Sequence, residues 1–256
     1  MTVPAASQHS VQPRQWRAAF RALKELRKNN DDTTQVFKII DALRGDSDHR
    51  NTGRMRLSET GQRILTERLS LIEVLSKREE LRTLPAGSLG RVYLDFMEKE
   101  GLSADGLAAA SVVGSQYERG NTDVETFSNW ARDSHDLWHV LSGYGRDPLG
   151  ELCLLGVLYS QVRNMGTGFM ALLTLPTVAK AYPGAPSFRA VLQGFVTGYR
   201  ANWLVDQDWQ ALLPLPLEQV RADLKIAKPS YYQRSLRLFD AAASNSEAMV
   251  AQVAGA

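Results

Sequence analysis

Residues 134–151 read SHDLWHVLSGYGRDPLGE, and the first part of this stretch predicts a helix that gathers polar side chains on one face. His135 and His139 are four residues apart, so on an α-helix both imidazoles can meet one cation. Asp136 lies three residues before His139, which keeps its carboxylate on the same flank. The sequence therefore predicts two imidazoles and a carboxylate side by side.

The second part of the stretch predicts a hairpin. Gly143 and Gly145 are typical of a helix end, and Asp147 followed by Pro148 is typical of a helix start. Glu151 then falls in the first turn of the second helix, and a tight connection brings its carboxylate back beside the histidine pair. Two imidazoles and two carboxylates suit Zn²⁺ or another divalent first-row metal such as Fe²⁺.

Each of these residues also has a role that needs no metal. A His-x-x-x-His pair alone is often a surface pair or a coincidence at a helix end. Asp136 could orient one imidazole from outside the ligand set, and Glu151 could serve as a favourable charge at a helix N-terminus. The joint placement of all four residues around an apolar hairpin favours the metal site.

Two familiar metal-dependent classes fit less well. In zinc proteases of the His-Glu-x-x-His type the glutamate is the general base, and here the shorter Asp136 holds that position. A phosphohydrolase with a His-Asp pair would need further histidine and aspartate ligands. The remaining histidines, His9 and His49, lie in segments predicted to be loose.

Composition limits the remaining possibilities. The chain of 256 residues has 30 Lys and Arg against 28 Asp and Glu, a net charge of +2 that gives no support to nucleic-acid binding. The single cysteine, Cys153, excludes an intramolecular disulfide framework and a cysteine-based zinc finger. No run approaches the roughly 18 apolar residues of a membrane span. The N-terminus lacks the basic start and apolar middle of a secretory signal.

The apolar period along the chain is helical, so we predict an all-α fold with one domain and a metal-binding helix–loop–helix hairpin. The predicted boundaries are a loose tail over residues 1–12, one helical domain over residues 13–240 and an alanine-rich tail over residues 241–256. Residues 45–55 are polar and predict a loop, and an alanine-rich helix is expected to begin at residues 107–113.

The motif also resembles a known family. His135-Asp136-x-x-His139, eleven further residues and Glu151 match the signature of the fourth Coq protein of coenzyme Q (ubiquinone) biosynthesis. Other family-like stretches are GSLGR at 87–91, GLSADGL at 101–107, DW at 208–209, PLE at 216–218 and VR at 220–221. The resemblance covers roughly residues 14–227.

The resemblance implies an all-helical protein with a metal, usually zinc, held by His135, Asp136, His139 and Glu151. Iron or another first-row metal is the alternative. It implies a lyase that removes the C1 carboxylate of a polyprenylated 4-hydroxybenzoate-type precursor, in an oxidative reaction that leaves a hydroxyl. The alternative is a non-catalytic lipid-binding scaffold that organises a quinone biosynthetic complex.

A substrate with an acidic aromatic head and a prenyl tail would need binding residues for each of these two parts. Arg146, Arg163 and Arg200 are candidates for binding an acidic head group, since guanidinium binds carboxylate with two parallel bonds. For each arginine the stronger explanation is a solvated charge or a structural ion pair with Asp147 or Asp206. Met165 and Met170 could line a pocket for the prenyl tail, which we expect between the helix that follows Glu151 and the helix of residues 188–204. Core packing is the competing explanation for both methionines.

The expected partners follow from the same resemblance. They are an isoprenoid lipid, a membrane surface contacted peripherally, other quinone-biosynthesis proteins and a possible second copy of the chain. The basic N-terminal helix, with Arg17 and Arg21, could touch anionic head groups or simply be solvated. The expected location is the cytoplasm with peripheral membrane association in a bacterium. In a eukaryote it is the periphery of the mitochondrial inner membrane, although no transit peptide is seen.

Overall fold

The computed structural model describes residues 13–29, 32–102 and 122–241. Within these ranges all regular elements are helices, and the only β-type pairing is an isolated bridge between Ser88 and Pro216. The predicted all-α class is therefore confirmed. The predicted N-terminal tail over residues 1–12, the predicted C-terminal tail over residues 241–256 apart from residue 241, and the helix start at 107–113 lie outside the described residues.

The described helices follow one another closely along the chain. They are α1 Trp16–Leu26, α2 Thr33–Ala42, α3 Ser47–Met55, α4 Glu59–Glu67, α5 Leu71–Leu75, α6 Arg78–Thr83, α7 Leu89–Lys99, α8 Asp123–Asp133, α9 His135–Ser142, α10 Pro148–Val162, α11 Met165–Ala181, α12 Ser187–Arg200, α13 Trp209–Leu212, α14 Leu217–Asp223 and α15 over residues 230–241. A short 3₁₀ turn, Leu204–Asp206, precedes α13. No described helix is long and apolar enough to cross a bilayer.

One segment contradicts the sequence prediction. Residues 45–55 were expected to form a loop, but most of them form α3. The helix has one apolar anchor, the fully buried Met55, and several of its polar residues have specific partners. The Nδ2 of Asn51 donates to the carbonyl of Val162 across 2.7 Å, a contact 111 residues away in sequence. A polar segment thus becomes a helix because tertiary contacts outweigh its weak local pattern.

The centre of the fold is α10, which packs against α11 and α12. Gly194 faces the carbonyl of Cys153, where a Cβ would lie 2.2 Å from the oxygen, and Gly198 faces the carbonyl of Val157 at 2.6 Å. The two helices therefore run parallel with their backbones in contact. This closes the seam in which the sequence predicted the prenyl pocket, so that location is wrong. The glycines bring the helices together rather than opening a groove.

A second, smaller core lies on the other side of α11. Ala19, Ala22 and Leu26 of α1 pack there with Ile39 and Leu43, and Met170 of α11 completes the cluster. The outer face of α1 is different, because Trp16 is 43% exposed and Phe20 is 55% exposed. An aromatic surface therefore remains open to solvent on this side.

Candidate metal centre

The hairpin between α9 and α10 is formed as the sequence predicts. Gly143 ends α9 in the left-handed region with φ at 73°, a conformation that costs glycine little. Asp147 caps α10 by accepting from the N–H groups of Leu149 and Gly150, each at 3.1 Å. With Pro148 at the first helical position, Glu151 lies in the first turn of α10.

This hairpin brings the four predicted ligands together. The ligand atoms of His135, Asp136 and His139 all lie within 4.8 Å of one another. From α10, the Oε1 of Glu151 lies 3.5 Å from the Nε2 of His139, and its Oε2 lies 3.9 Å from the Nε2 of His135. Ligands about 2.0–2.1 Å from a tetrahedral ion are about 3.3 Å apart, so the closer pair already has nearly this spacing.

The second nitrogen of each imidazole has a partner that fixes its role. The Nδ1 of His139 lies 3.0 Å from the carbonyl oxygen of Tyr144, and a carbonyl can only accept, so Nδ1 carries the proton. The Nδ1 of His135 lies 3.2 Å from the Oδ1 of Asp136 in the same relationship. In the neutral form of each imidazole, Nε2 is therefore the nitrogen without a proton, and it faces Glu151, as metal binding requires.

The Nε2 of His139 is the atom that most clearly fits a metal. It is buried and has no hydrogen-bond partner, and His139 as a whole is 1% exposed. Its nearest polar neighbour, the carboxylate of Glu151, is also an acceptor. Two buried acceptors that face each other are unfavourable unless a proton or a cation lies between them. The residues present thus fit a divalent ion.

The electrostatics of the cluster favour ionised carboxylates. Burial acts to raise the pKa of Asp136 and of Glu151, yet the neighbouring imidazoles and Arg146 hold both pKa values below their usual range. Burial acts to lower the pKa of His135, but Asp136 and Glu151 together raise it. The same negative charge that favours a proton on His135 attracts a metal cation.

Two further features of the site could not be recognised from the sequence motif. The ring of Phe96, on α7, stacks on His139 with centroids 5.8 Å apart. The partner of His139 Nδ1 is a backbone carbonyl, which no residue pattern identifies. The site is closed by Phe96 on one side, whereas the side chains of Glu151 and Arg146 are each 37% exposed. A ligand can therefore approach from the side of these two residues.

Of the predicted substrate-binding residues, only Arg146 lies at this centre. Its Nε is 3.7 Å from the Oε1 of Glu151. Arg163 ends α10, twelve residues or about 18 Å beyond Glu151, and lies over the ring of Tyr159. Arg200 ends the parallel helix α12 at that same far end. A role for these two arginines in binding the acidic head stays a prediction.

The two methionines are also away from the metal cluster. Met165 is the first residue of α11, next to the far end of α10, and is 38% exposed. Met170 is 2% exposed in the small core formed with α1 and α2. The structure does not bring either residue to the four ligands, and their contact with a prenyl tail stays a prediction.

Two curated proteins that are similar to this chain carry the same name. The chain is 27% identical over 177 residues to the ubiquinone biosynthesis protein COQ4, mitochondrial, of Yarrowia lipolytica, covering 69% of this chain and 65% of that protein. It is 26% identical over 179 residues to the corresponding protein of Sclerotinia sclerotiorum, covering 68% and 60%. The chain thus spans less than two thirds of the length of these curated relatives.

A solved structure shares the fold. A crystal structure from Nostoc punctiforme, of a protein assigned to ubiquinone biosynthesis, superposes with a TM-score of 0.61 at 19% identity, over 82% of this chain and 96% of that one. The profile of the family described as coenzyme Q (ubiquinone) biosynthesis protein Coq4 matches residues 45–230, which include the whole hairpin. The chain therefore belongs to the Coq4 family of coenzyme Q biosynthesis proteins.

Proposed function

We propose that this chain binds one divalent metal ion through His135, Asp136, His139 and Glu151 and acts at that centre in ubiquinone biosynthesis. The substrate is a polyprenylated 4-hydroxybenzoate-type acid, and the reaction is oxidative removal of its C1 carboxyl group. The single observation that carries the proposal is the buried, unpartnered Nε2 of His139, 3.5 Å from an opposing carboxylate oxygen.

The reaction balances with dioxygen as the oxidant and a two-electron donor. Starting from the carboxylic acid, the bond between C1 and the carboxyl carbon breaks and carbon dioxide leaves. One oxygen atom of dioxygen becomes the hydroxyl at C1, and the other leaves as water with two electrons and two protons from the donor. When bound, a divalent ion supplies Lewis acidity that offsets negative charge on a substrate carboxylate or phenolate.

The residues of the chain bind and orient the aromatic head. Arg146 is exposed beside Glu151 at the open side of the cluster, where its guanidinium can pair with the substrate's carboxylate. Phe96 stacks on the ring of His139 and covers one face of this imidazole. The Oδ1 of Asp136 accepts from His135, and the carboxylate has acceptor capacity beyond this one hydrogen bond with which it would hold a cation.

Turnover by the purified chain tests this function. The chain is loaded with zinc or with ferrous iron and given a short-chain prenylated 4-hydroxybenzoate, dioxygen and a reductant, and carbon dioxide and the hydroxylated ring are measured. His139→Ala should abolish turnover, whereas His49→Ala, a histidine on α3 outside the cluster, should retain it. Unchanged turnover in His139→Ala would refute the catalytic role. The more active metal form identifies the working ion.

A second candidate is a non-catalytic scaffold that organises other quinone-biosynthesis proteins. One face of α12 favours it: Phe188, Leu192, Val196 and Tyr199 recur at helical spacing and are 65%, 51%, 39% and 73% exposed. A scaffold predicts that the wild type has no turnover and that Leu192→Asp loses co-purification of partner enzymes. Loss of self-association in the same variant would instead indicate that this face joins two copies of the chain.

Peripheral contact with a membrane is the third part of the proposal. Trp16 and Phe20 form a ring cluster with Phe169 of α11, with centroid distances of 5.7 Å and 6.1 Å to that ring. Arg17 and Arg21 follow these aromatics by one residue on α1, so an apolar column lies beside a basic one. Exposed aromatics beside basic residues suit the surface of an anionic bilayer.

A further inference from the structure

The carboxylate of Asp147 is fully occupied although it lies close to the metal cluster. Its Oδ1 accepts from the N–H groups of Leu149 and Gly150, and also from the hydroxyl of Tyr182 at 3.0 Å. Its Oδ2 accepts from the hydroxyl of Tyr232. A carboxylate that holds four donors has little capacity left for a cation, which separates the role of Asp147 from that of Glu151.

Tyr232 forms two hydrogen bonds with the loop that connects α9 to α10. Its phenol oxygen donates to Asp147 and accepts from the N–H of Gly145 across 2.9 Å. A Cβ at position 145 would lie 2.6 Å from that oxygen, so the phenol can approach the backbone this closely because Gly145 has no side chain. The ring also packs edge-on against Tyr144, with centroids 5.4 Å apart. The phenol and ring of Tyr232 thus contact three of the four residues from Tyr144 to Asp147.

Both phenols that reach Asp147 are buried. Tyr232 is 3% exposed and Tyr182 is 7% exposed. Burial, together with the charge of Asp147, raises the pKa of Tyr182 to about 12 and that of Tyr232 further. Each hydroxyl therefore keeps its proton and remains a donor at neutral pH.

The loop that Tyr232 contacts positions metal ligands on both helices of the hairpin, His139 on α9 and Glu151 on α10. Tyr144 supplies the carbonyl that accepts from His139 Nδ1 and so sets the tautomer of that ligand. Asp147 caps α10, and its own carbonyl accepts from the N–H of Glu151 across 2.9 Å, so the position of Asp147 sets the first turn that carries this ligand. A shift of the loop would move His139 and Glu151 relative to each other.

We propose that Tyr232 is a positioning residue of the metal centre, which holds Gly145 and Asp147 so that His139 and Glu151 converge. Tyr182 assists it from the end of α11. This inference rests on the proposed metal site. It assigns a role to α15, which lies at residues 230–241, where the family profile match at 45–230 ends.

The test compares Tyr232→Phe with Tyr231→Phe, a neighbouring tyrosine whose side chain is 38% exposed. Both variants keep an aromatic ring, but only the first loses the oxygen that bridges Gly145 and Asp147. Zinc affinity is measured by competition with a chelating dye, and ligand geometry is followed in the visible spectrum of the Co²⁺-loaded chain. Residues that orient metal ligands typically change affinity about 10–100-fold when mutated.

We expect Tyr232→Phe to bind zinc about tenfold or more weakly with an altered Co²⁺ spectrum, and Tyr231→Phe to match the wild type. A purely structural role predicts a lower melting temperature of the metal-free protein with unchanged affinity and spectrum, and that result overturns the inference. If Tyr232→Phe does not fold, Tyr182→Phe removes the other phenol and should weaken zinc binding to a smaller degree. A wild type that binds no metal overturns the proposed function as well.

Discussion

The Nδ1–H of His139 donates to the carbonyl oxygen of Tyr144 across 3.0 Å, so the loop after α9 decides which nitrogen of this histidine faces Glu151. Because Nδ1 is engaged, the lone pair of Nε2 points into the cluster, where it has no hydrogen-bond partner. The hairpin thus prepares a ligand before any ion arrives, at the cost of two acceptors facing each other. Relief of that repulsion links metal binding to the stability of the fold.

Metal should therefore raise the melting temperature of the wild type but not of Glu151→Gln. An ion at 100 times its dissociation constant stabilises the native state by about 2.7 kcal/mol, which corresponds to about 5–10 °C for a domain of this size. Glu151→Gln keeps the shape of the side chain but replaces the anionic ligand with a neutral amide. Glu59→Gln, at the exposed start of α4, is the matched control and should keep the full shift. Equal shifts in both variants would argue against a ligand role for Glu151.

A second prediction concerns pH. Asp123 accepts from Arg56 at 2.7 Å and from Arg68 at 2.7 Å, which joins the start of α8 to the ends of α3 and α4. Partial burial acts to raise the pKa of Asp123, but the two guanidinium groups hold it below its usual value. The stabilisation is therefore present at neutral pH and is lost as pH falls through the lowered pKa of the folded state.

We expect Asp123→Asn to lower the free energy of unfolding by about 1 kcal/mol at pH 7, a small value because these ion pairs are partly exposed. The difference from the wild type should shrink as pH drops below about 4, when the carboxyl protonates in the unfolded chain and then in the folded one. Urea unfolding at pH 7, 5 and 3 measures it. Asp95→Asn, which removes a more exposed pair with Arg91, should change stability little at each pH. A deficit of equal size at pH 3 would contradict the electrostatic explanation.

The hairpin was predictable from sequence because its signals are local. Gly143, Asp147 and Pro148 each specify one backbone position, and together they place Glu151. Helix α3 was not predictable, since its stability depends on contacts such as Asn51 with the carbonyl of Val162, which no local pattern encodes.

The prenyl pocket was misplaced for a related reason. A glycine such as Gly194 permits either a groove or a close helix contact, and only the position of Cys153 opposite it decides between them. The contact of Tyr232 with Asp147 was also hidden, since it joins residues 85 positions apart through chemistry that many tyrosines share.

The glycine seam leads to a third prediction. Gly194→Ala should lower the free energy of unfolding by about 1–3 kcal/mol, because the new methyl group would overlap the carbonyl of Cys153 and force α10 and α12 apart. Gly53→Ala in α3 is the matched control, since a Cβ there meets nothing within 4 Å. It should raise stability by about 0.5–1 kcal/mol through helix propensity alone. Denaturant unfolding measures both, and a neutral Gly194→Ala would show that the seam is looser than the structure describes.

The final prediction concerns the aromatic surface of α1. Trp16→Ala combined with Phe20→Ala should reduce binding to anionic vesicles about tenfold for each ring, because full burial of a large apolar side chain contributes about 1.5–3 kcal/mol and 1.4 kcal/mol is tenfold in affinity. Cosedimentation measures the effect with two kinds of vesicle, one that contains anionic phosphatidylglycerol and one of neutral phosphatidylcholine alone. Arg17→Gln with Arg21→Gln should weaken binding only to the anionic vesicles and only at low salt, since head-group attraction is screened.

Leu57→Ala is the control for exposed apolar area, because Leu57 is 84% exposed outside the ring cluster of Trp16, Phe20 and Phe169. It should bind both kinds of vesicle as the wild type does. If Leu57→Ala weakens binding as strongly as the aromatic double variant, the chain adheres through general hydrophobicity, and α1 has no special part in the contact. If only the aromatic variant is affected, the bilayer lies against α1 and the start of α11.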